Sequence, residues 1–457
     1  VAQTGSAGIY AENTSSQANT QSDVTNSGLV KMTGASSVGI IGEKSKITNS
    51  GTGTGKGIEI SGAGSAGILA NNNSEVINSG RIEGNTGASL VGISVDKNST
   101  ASNSGTITMK TTSNTGISST GGAVTNTGTI TLEKASSTGI SSVNGNVTND
   151  SGATITVQEG SSVGIFAKIA GKDDITVSNA GKISLNTASP VPKKSAAIYS
   201  LINSGTGKLI TTNSGTIDVD QEASVGIYAE NKGATRDNSD VTNSGLINVK
   251  KVSSAGILGT KAKITNTGTG TTGGILLTAV KTAGIIANAG SLVSNTGRIE
   301  TSGVTPTVAT DGLVGIAVDA STASNSGTIT LGTEYSTGMN GVANSTLINS
   351  GTIDGNKANA VGIALNASTA TNANGATINL IGQSSTGMFG AVGSTITNAG
   401  KIETKIVAPS VQPVSSSEGL VGIALNASTG KNTSDGEINL GTAYSTGMFG
   451  AASSTIE

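Results

Sequence analysis

Cysteine, histidine and tryptophan are all missing from this 457-residue chain. Without Cys there is no disulfide and no thiolate metal site, a composition compatible with export that does not require it. Without His, the commonest general base and metal ligand is gone, and neither a Ser-His-Asp nor a Cys-His arrangement can be assembled. Aromatics are scarce, five Tyr and three Phe. A globular core draws much of its buried area from aromatics, so division into ordinary domains of roughly 150 residues each fits poorly. Charge is low as well, with 12% charged residues and a net charge of -2. That leaves no basic stripe for nucleic acid, and it is unlike the high charge of disordered chains. No apolar run approaches the roughly 18 residues that cross a bilayer, and Val1 does not open a signal peptide. The chain closes on the strand-like SSTIE, so a piece of a longer protein is expected.

What is present is repetition. Residues 360–390, AVGIALNASTATNANGATINLIGQSSTGMFG, hold two short apolar alternations joined by Asn, Ser, Thr and Gly. Period-two runs of about five residues read as strands with one buried face. Here Val361, Ile363 and Leu365 are expected on one face, with Gly362 and Ala364 on the other. Ile378 and Leu380 share a face opposite Thr377 and Asn379. The pattern restarts at Gly387-Met388. A Gly followed by an apolar residue marks each unit, from Gly8, Gly39 and Gly67 through to Gly422 and Gly447, with Ala197 the one substitution. The markers number 17, at a mean spacing of about 27 residues. A second marker is Asn two residues before Gly: Asn26, Asn49, Asn78, Asn103, Asn126, Asn243, Asn266, Asn295, Asn325, Asn349 and Asn398.

One such unit cannot close a core, but stacked units bury a continuous one. Two or three short strands per unit, pairing in parallel with the next unit, predict an all-β fold. It is a right-handed parallel β-helix of about 17 coils, each of about 23–31 residues with longer insertions. One continuous β-helix over residues 1–457 is expected. Within it, residues 5–109 are duplicated at 223–331, and two-coil repeats fall at 313–341, 360–390 and 420–450.

All five prolines fall in three insertions, Asn186–Ser195, Thr301–Gly312 and Thr404–Gly419, each between a Lys/Arg-Ile strand and the next Gly-apolar strand. Loops on a rigid scaffold are where binding is usually located. The candidate partner-binding residues there are Val191, Lys193, Lys194, Val304, Val308, Ile406, Val407, Val411 and Val414; the bland reading is solvated decoration. A second corner carries polar insertions at Glu12–Asp23 and Glu230–Asp240. Phe166, Tyr199 and Tyr228 occupy the same position in consecutive coils, and alternation turns them outward. They form either a sugar- or protein-binding aromatic stack or a surface ladder packed on its neighbours. The Asn residues are read as a structural hydrogen-bonded ladder rather than a ligand array, with the following Gly relieving the corner.

No enzyme is expected. Carboxylates are scattered, Asp173-Asp174 lies in a loop, and no paired-carboxylate site for glycoside cleavage stands out. The calcium-binding glycine-aspartate nonapeptide and the phosphate-cradling Gly-rich loop are both missing. No cofactor or metal is therefore expected.

The iterated segments SVGIYAEN, VTNSGLI, KITNTGTG and STGMFG resemble the passengers of large fusobacterial autotransporter adhesins of the type V secreted class, the RadD-like group. The resemblance runs through essentially the whole chain. It implies a right-handed β-helix displayed outside the cell and anchored through a C-terminal β-barrel in the outer membrane, which this chain does not contain. The partners it implies are a host cell-surface receptor, either a glycan or an immune-receptor protein, or the surface of another bacterium. The alternative is a passive stalk that projects a distal binding tip.

Overall fold

The computed structural model describes residues 1–15, 21–186, 194–233, 235–404 and 413–457. The chain forms two compact units, Val1–Ala234 and Thr235–Glu457. Both are parallel β-solenoids, right-handed in type, and together they make about 16 coils against the 17 sequence markers. Among the described residues there is no α-helix, only short 3-10 turns at Arg236–Asn238 and Ala309–Asp311.

One coil shows the construction. Strands Val91–Val95, Thr100–Asn103 and Thr106–Met109 contribute to the first, second and third sheets in turn. Ile93, Val95, Ala101, Ile107 and Met109 point inward and are buried, while Ser94, Ser102 and Thr108 point outward. Like stacks on like. Ile93 pairs with Ile68 on one side and Ile117 on the other, and Ile107 pairs with Ile82 and Ile130. Repeating one side chain at one register position lets β-branched residues nest in identical rotamers, so small aliphatics reach interior packing density without aromatics.

The alternation expected at Val361 to Leu365 slips at the glycine. Val361 and Ala364 are on the outer side, whereas Gly362, Ile363 and Leu365 are all turned inward. The pairing register runs from Val361 with Thr386 straight to Ile363 with Met388, so the glycine pair drops out of the ladder. A bend at each marker therefore puts two successive residues inside. The glycine is required by close approach: a Cβ on Gly362 would lie 2.5 Å from the Gly387 carbonyl oxygen and 2.7 Å from Ile378 Cγ2. In the other alternation Asn379 is buried along with Ile378 and Leu380, and its amide donates to Asp354 at 2.5 Å.

Each corner is held by a side-chain ladder. Between the second and third sheets, Asn26, Asn49, Asn78, Asn103 and Asn126 each donate Nδ2–H to the Oδ1 of the next coil's Asn, at 2.6–2.9 Å. Asn149 and Asn179 continue the series. In the second unit Asn243, Asn266, Asn295, Asn325, Asn349, Asn372 and Asn398 do the same at 2.7–2.8 Å. The glycine two residues on, expected to relieve the corner, is not in the left-handed region. A Cβ on Gly105 would strike the Gly80 carbonyl oxygen at 2.1 Å, so only the spacing between coils demands glycine. The other two corners carry serine ladders in which a backbone N–H donates to the hydroxyl of the next coil's Ser. Ser37 to Ser65 and Ser162 to Ser195 mark one corner, Ser45 to Ser74 and Ser321 to Ser345 the other. Tight corners otherwise leave backbone N–H groups buried without partners, and these hydroxyls satisfy them.

Candidate interaction surface

With the interior occupied by aliphatics and by the asparagine and serine ladders, chemistry is left to the outer faces and the corners. The three proline-containing insertions leave at the corner between third and first sheets, after strands Lys182–Leu185, Arg298–Thr301 and Lys401–Glu403. Val191, Lys193, Ile406, Val407 and Val411 lie outside the described residues. Of the others, Lys194 is exposed, Val304 is half-buried, Val308 is 50% exposed and Val414 77% exposed.

The two insertions of the second unit are anchored alike. In the first, Asp311 and Gly312 donate N–H to the Val308 and Ala309 carbonyls, and Lys281 Nζ pairs with Asp311 at 3.1 Å. In the second, the Val414 N–H donates to Glu418 Oε2 at 2.8 Å, and the Glu418 carbonyl accepts from the Ser384 N–H at 2.8 Å. Both end on a glycine pressed against a tyrosine of the following coil. A Cβ on Gly312 would lie 2.0 Å from the Tyr335 carbonyl oxygen, and one on Gly419 would lie 2.0 Å from that of Tyr444. Tyr335 and Tyr444 hold left-handed backbones, φ 54° and 58°, uncommon for a large side chain. The sequence carried the signal for this pairing: G-L-V-G-I closes each insertion and Y-S-T-G-M follows one coil later. The sequence reading did not connect them.

The structure brings Phe166, Tyr199 and Tyr228 together on the outer face of the first sheet. Tyr199 and Tyr228 stack with centroids 4.8 Å apart and planes 9° from parallel, and Phe166 packs on Tyr199 at 5.3 Å with a 57° tilt. All three are half-buried. The Tyr199 hydroxyl donates to the Glu230 carboxylate. Burial first, and then that carboxylate, push the Tyr199 phenol above its ordinary value, so it remains a donor. Stacked along the coils, these rings cover one another's faces and offer mostly edges to solvent.

Charges on the third sheet's outer face are cross-paired between coils. Lys31 pairs with Glu59 at 3.7 Å, Glu59 with Arg81 at 2.7 Å, and Glu83 with both Arg81 and Lys110. No cluster of three or more acidic side chains that could hold a metal ion exists among the described residues. No helix is long and apolar enough to cross a membrane, again among the described residues.

Residues 137–272 match the family model described as the BigA third pectate lyase-like domain. Among solved structures, the chain is similar to a fragment described as TibC-catalyzed hyper-glycosylated TibA. The likeness is 13% identity and a TM-score of 0.32, and it covers 83% of this chain and 100% of that one. A likeness at that level says nothing of function. No curated protein matches.

Proposed function

We propose that this chain is a segment of a surface-displayed bacterial adhesin of the autotransporter-passenger type. It attaches to host cells or partner bacteria by binding a cell-surface glycan or protein receptor through loops held on the solenoid. The observation that carries this reading is where variation is allowed. Inside, an aliphatic residue (mostly Ile) and Asn recur at the same positions from coil to coil among the described residues; outside, the three proline-containing insertions leave at one corner and carry exposed apolar side chains, Val308 and Val414 among them. Proteins that merely set distance gain nothing from exposed valines on anchored loops. The match to a BigA pectate lyase-like domain supports a β-solenoid passenger, and its name assigns no activity here. With neither His nor Cys, and with the carboxylates of the third sheet paired to Lys and Arg, the reading is non-enzymatic.

The competing reading is a passive stalk, favoured by the regular coils and the tandem repeats at 360–390 and 420–450. Replacing the insertions at 186–195, 301–312 and 404–419 by the short turn that joins Leu331 to Thr337 separates the two. A binder loses attachment to host cells and partner bacteria; a stalk keeps it. Galactose or N-acetylgalactosamine as competitor distinguishes a glycan receptor from a protein one.

A further inference from the structure

The outward row of the first sheet holds two triplets with the same spacing and different middles. In the first unit Phe166, Tyr199 and Tyr228 are register partners on three consecutive coils, and the central ring fills the space between its neighbours. In the second unit the corresponding partners are Phe389, Ala424 and Phe449. Two coil steps separate the outer rings by about 9.6 Å, twice the 4.8 Å of the stacked tyrosines. Over Ala424, one ring is missing from an aromatic stack.

We propose that this gap is a binding slot for an aromatic side chain of a protein partner, inserted between Phe389 and Phe449 with Ala424 as its floor. The occupant follows from the filled copy, where a tyrosine ring in the same place stacks on one neighbour at 4.8 Å and packs tilted against the other at 5.3 Å. The surroundings agree. Phe389 is 37% exposed, and Val392, just past the end of the Phe389 strand, is 63% exposed. Exposed phenylalanine and valine side chains are of the apolar kind that anchors an aromatic hot-spot residue. None of the residues in strands Thr386–Ala391, Val421–Asn426 and Thr446–Ala451 is charged, so a cationic guest has no carboxylate to neutralise it. The residues of the slot belong to strands and not to the proline-containing insertions. The test probes these strand residues themselves and stands whether or not the loops bind a receptor.

The chain has no Trp, so an indole probe is read without background. N-acetyltryptophanamide is titrated into the 457-residue chain and its ring-proton shifts are followed, with N-acetylleucinamide and methyl β-glucopyranoside as comparison probes. The expected result is saturable upfield shifts for the indole alone. They weaken at least about tenfold in Ala424→Tyr, which fills the slot from within, and likewise in Phe389→Leu and Phe449→Leu, which keep bulk and remove the rings. The leucine variants decide the matter if the tyrosine variant fails to fold. Absence of saturation, shifts that persist in these variants, or glucoside binding as tight as the indole's overturns the proposal; the last makes the slot a sugar subsite.

Discussion

The two units share an interior and differ in what they show to solvent. Inside, the first unit stacks Ile68, Ile93 and Ile117 just as the second stacks Ile285 with Ile316. The Asn ladders have the same geometry in both. Outside, the same row of the first sheet carries a closed aromatic stack in one unit and an interrupted one in the other. The corner insertions of the second unit end on glycines wedged against tyrosines. A solenoid separates the two demands physically: inward positions answer to the coil above and below, while outward positions answer only to solvent or a partner. That is why function has to be sought in the differences.

The largest effects fall where the units agree. Asn126→Ala and Asn349→Ala each remove one rung and leave a buried Nδ2–H and a buried Oδ1 without partners on the adjoining coils. Each is expected to cost about 3 kcal/mol, equally in both units, with hydrogen exchange accelerating in the mutated coil and its neighbours. A much smaller cost in one unit would show that its ladder is decoration.

Next comes the row where they differ. Tyr199→Ala takes away a ring packed against an aromatic on both sides and is expected to cost about 2 kcal/mol; Phe389→Ala, flanked by Ala364 and Ala424, costs under about 1 kcal/mol. Local exchange rates around the two strands compare them directly. Equal costs would mean that the Phe389 ring already has a packing partner, and the slot would be closed.

Most of this was legible in the chain. Gly-apolar pairs and N-x-G came close to the coil count and marked the register and the asparagine ladder, because a repeated buried position leaves a repeated letter. Asn149, Asn372 and Asn432 escaped because one or two extra residues separate them from their glycines, as in NDSG, NANG and NTSDG. The serine ladder of Ser37, Ser65 and Ser162 was visible as S-x-G, yet Ser is so common here that the spacing did not stand out, and the ladder of Ser45, Ser74 and Ser321 carries no such mark. The inward turn of Gly362 was misread because alternation assumes a straight strand, and the bend at the marker glycine arises from the coil packed above it. The gap at Ala424 could not be read at all, since a missing ring leaves no letter.

A stabilising change is expected where strain is stored. Val392 has φ 54°, a left-handed conformation that penalises a β-branched side chain, while the matching corner residues of adjacent coils are Ala367 and Ala427. Val392→Asn is expected to gain about 0.5–1 kcal/mol, read as a rise in melting temperature. If Val392 also contacts the partner of the slot, the same variant weakens binding, and stability and function separate at one residue.

The smallest effect tests whether surface charge matters to either unit. In the first, Lys31 is register partner of Glu59, which Arg81 also engages; at the equivalent place in the duplicated segment, Asn248 faces Leu276 while Arg298 and Glu300 are retained. The hydrogen bond from Arg81, aided by the charges of Arg81 and Lys31 and opposed by burial, holds the Glu59 carboxyl below its ordinary 4.5. A carboxyl depressed in the folded state adds stability above its unfolded pKa and loses it as the pH falls through the folded one. Glu59→Gln is therefore expected to cost under about 1 kcal/mol at pH 7, and the difference from the parent chain should vanish well below pH 4.5. Leu276→Glu supplies the missing carboxylate beside Arg298 and is expected to gain a few tenths of a kcal/mol with the opposite pH dependence. Melting curves at pH 7 and in acid decide it. If Glu59→Gln is neutral at both, the charged ladder of the first unit serves solubility, and the leucine of the second costs the fold nothing.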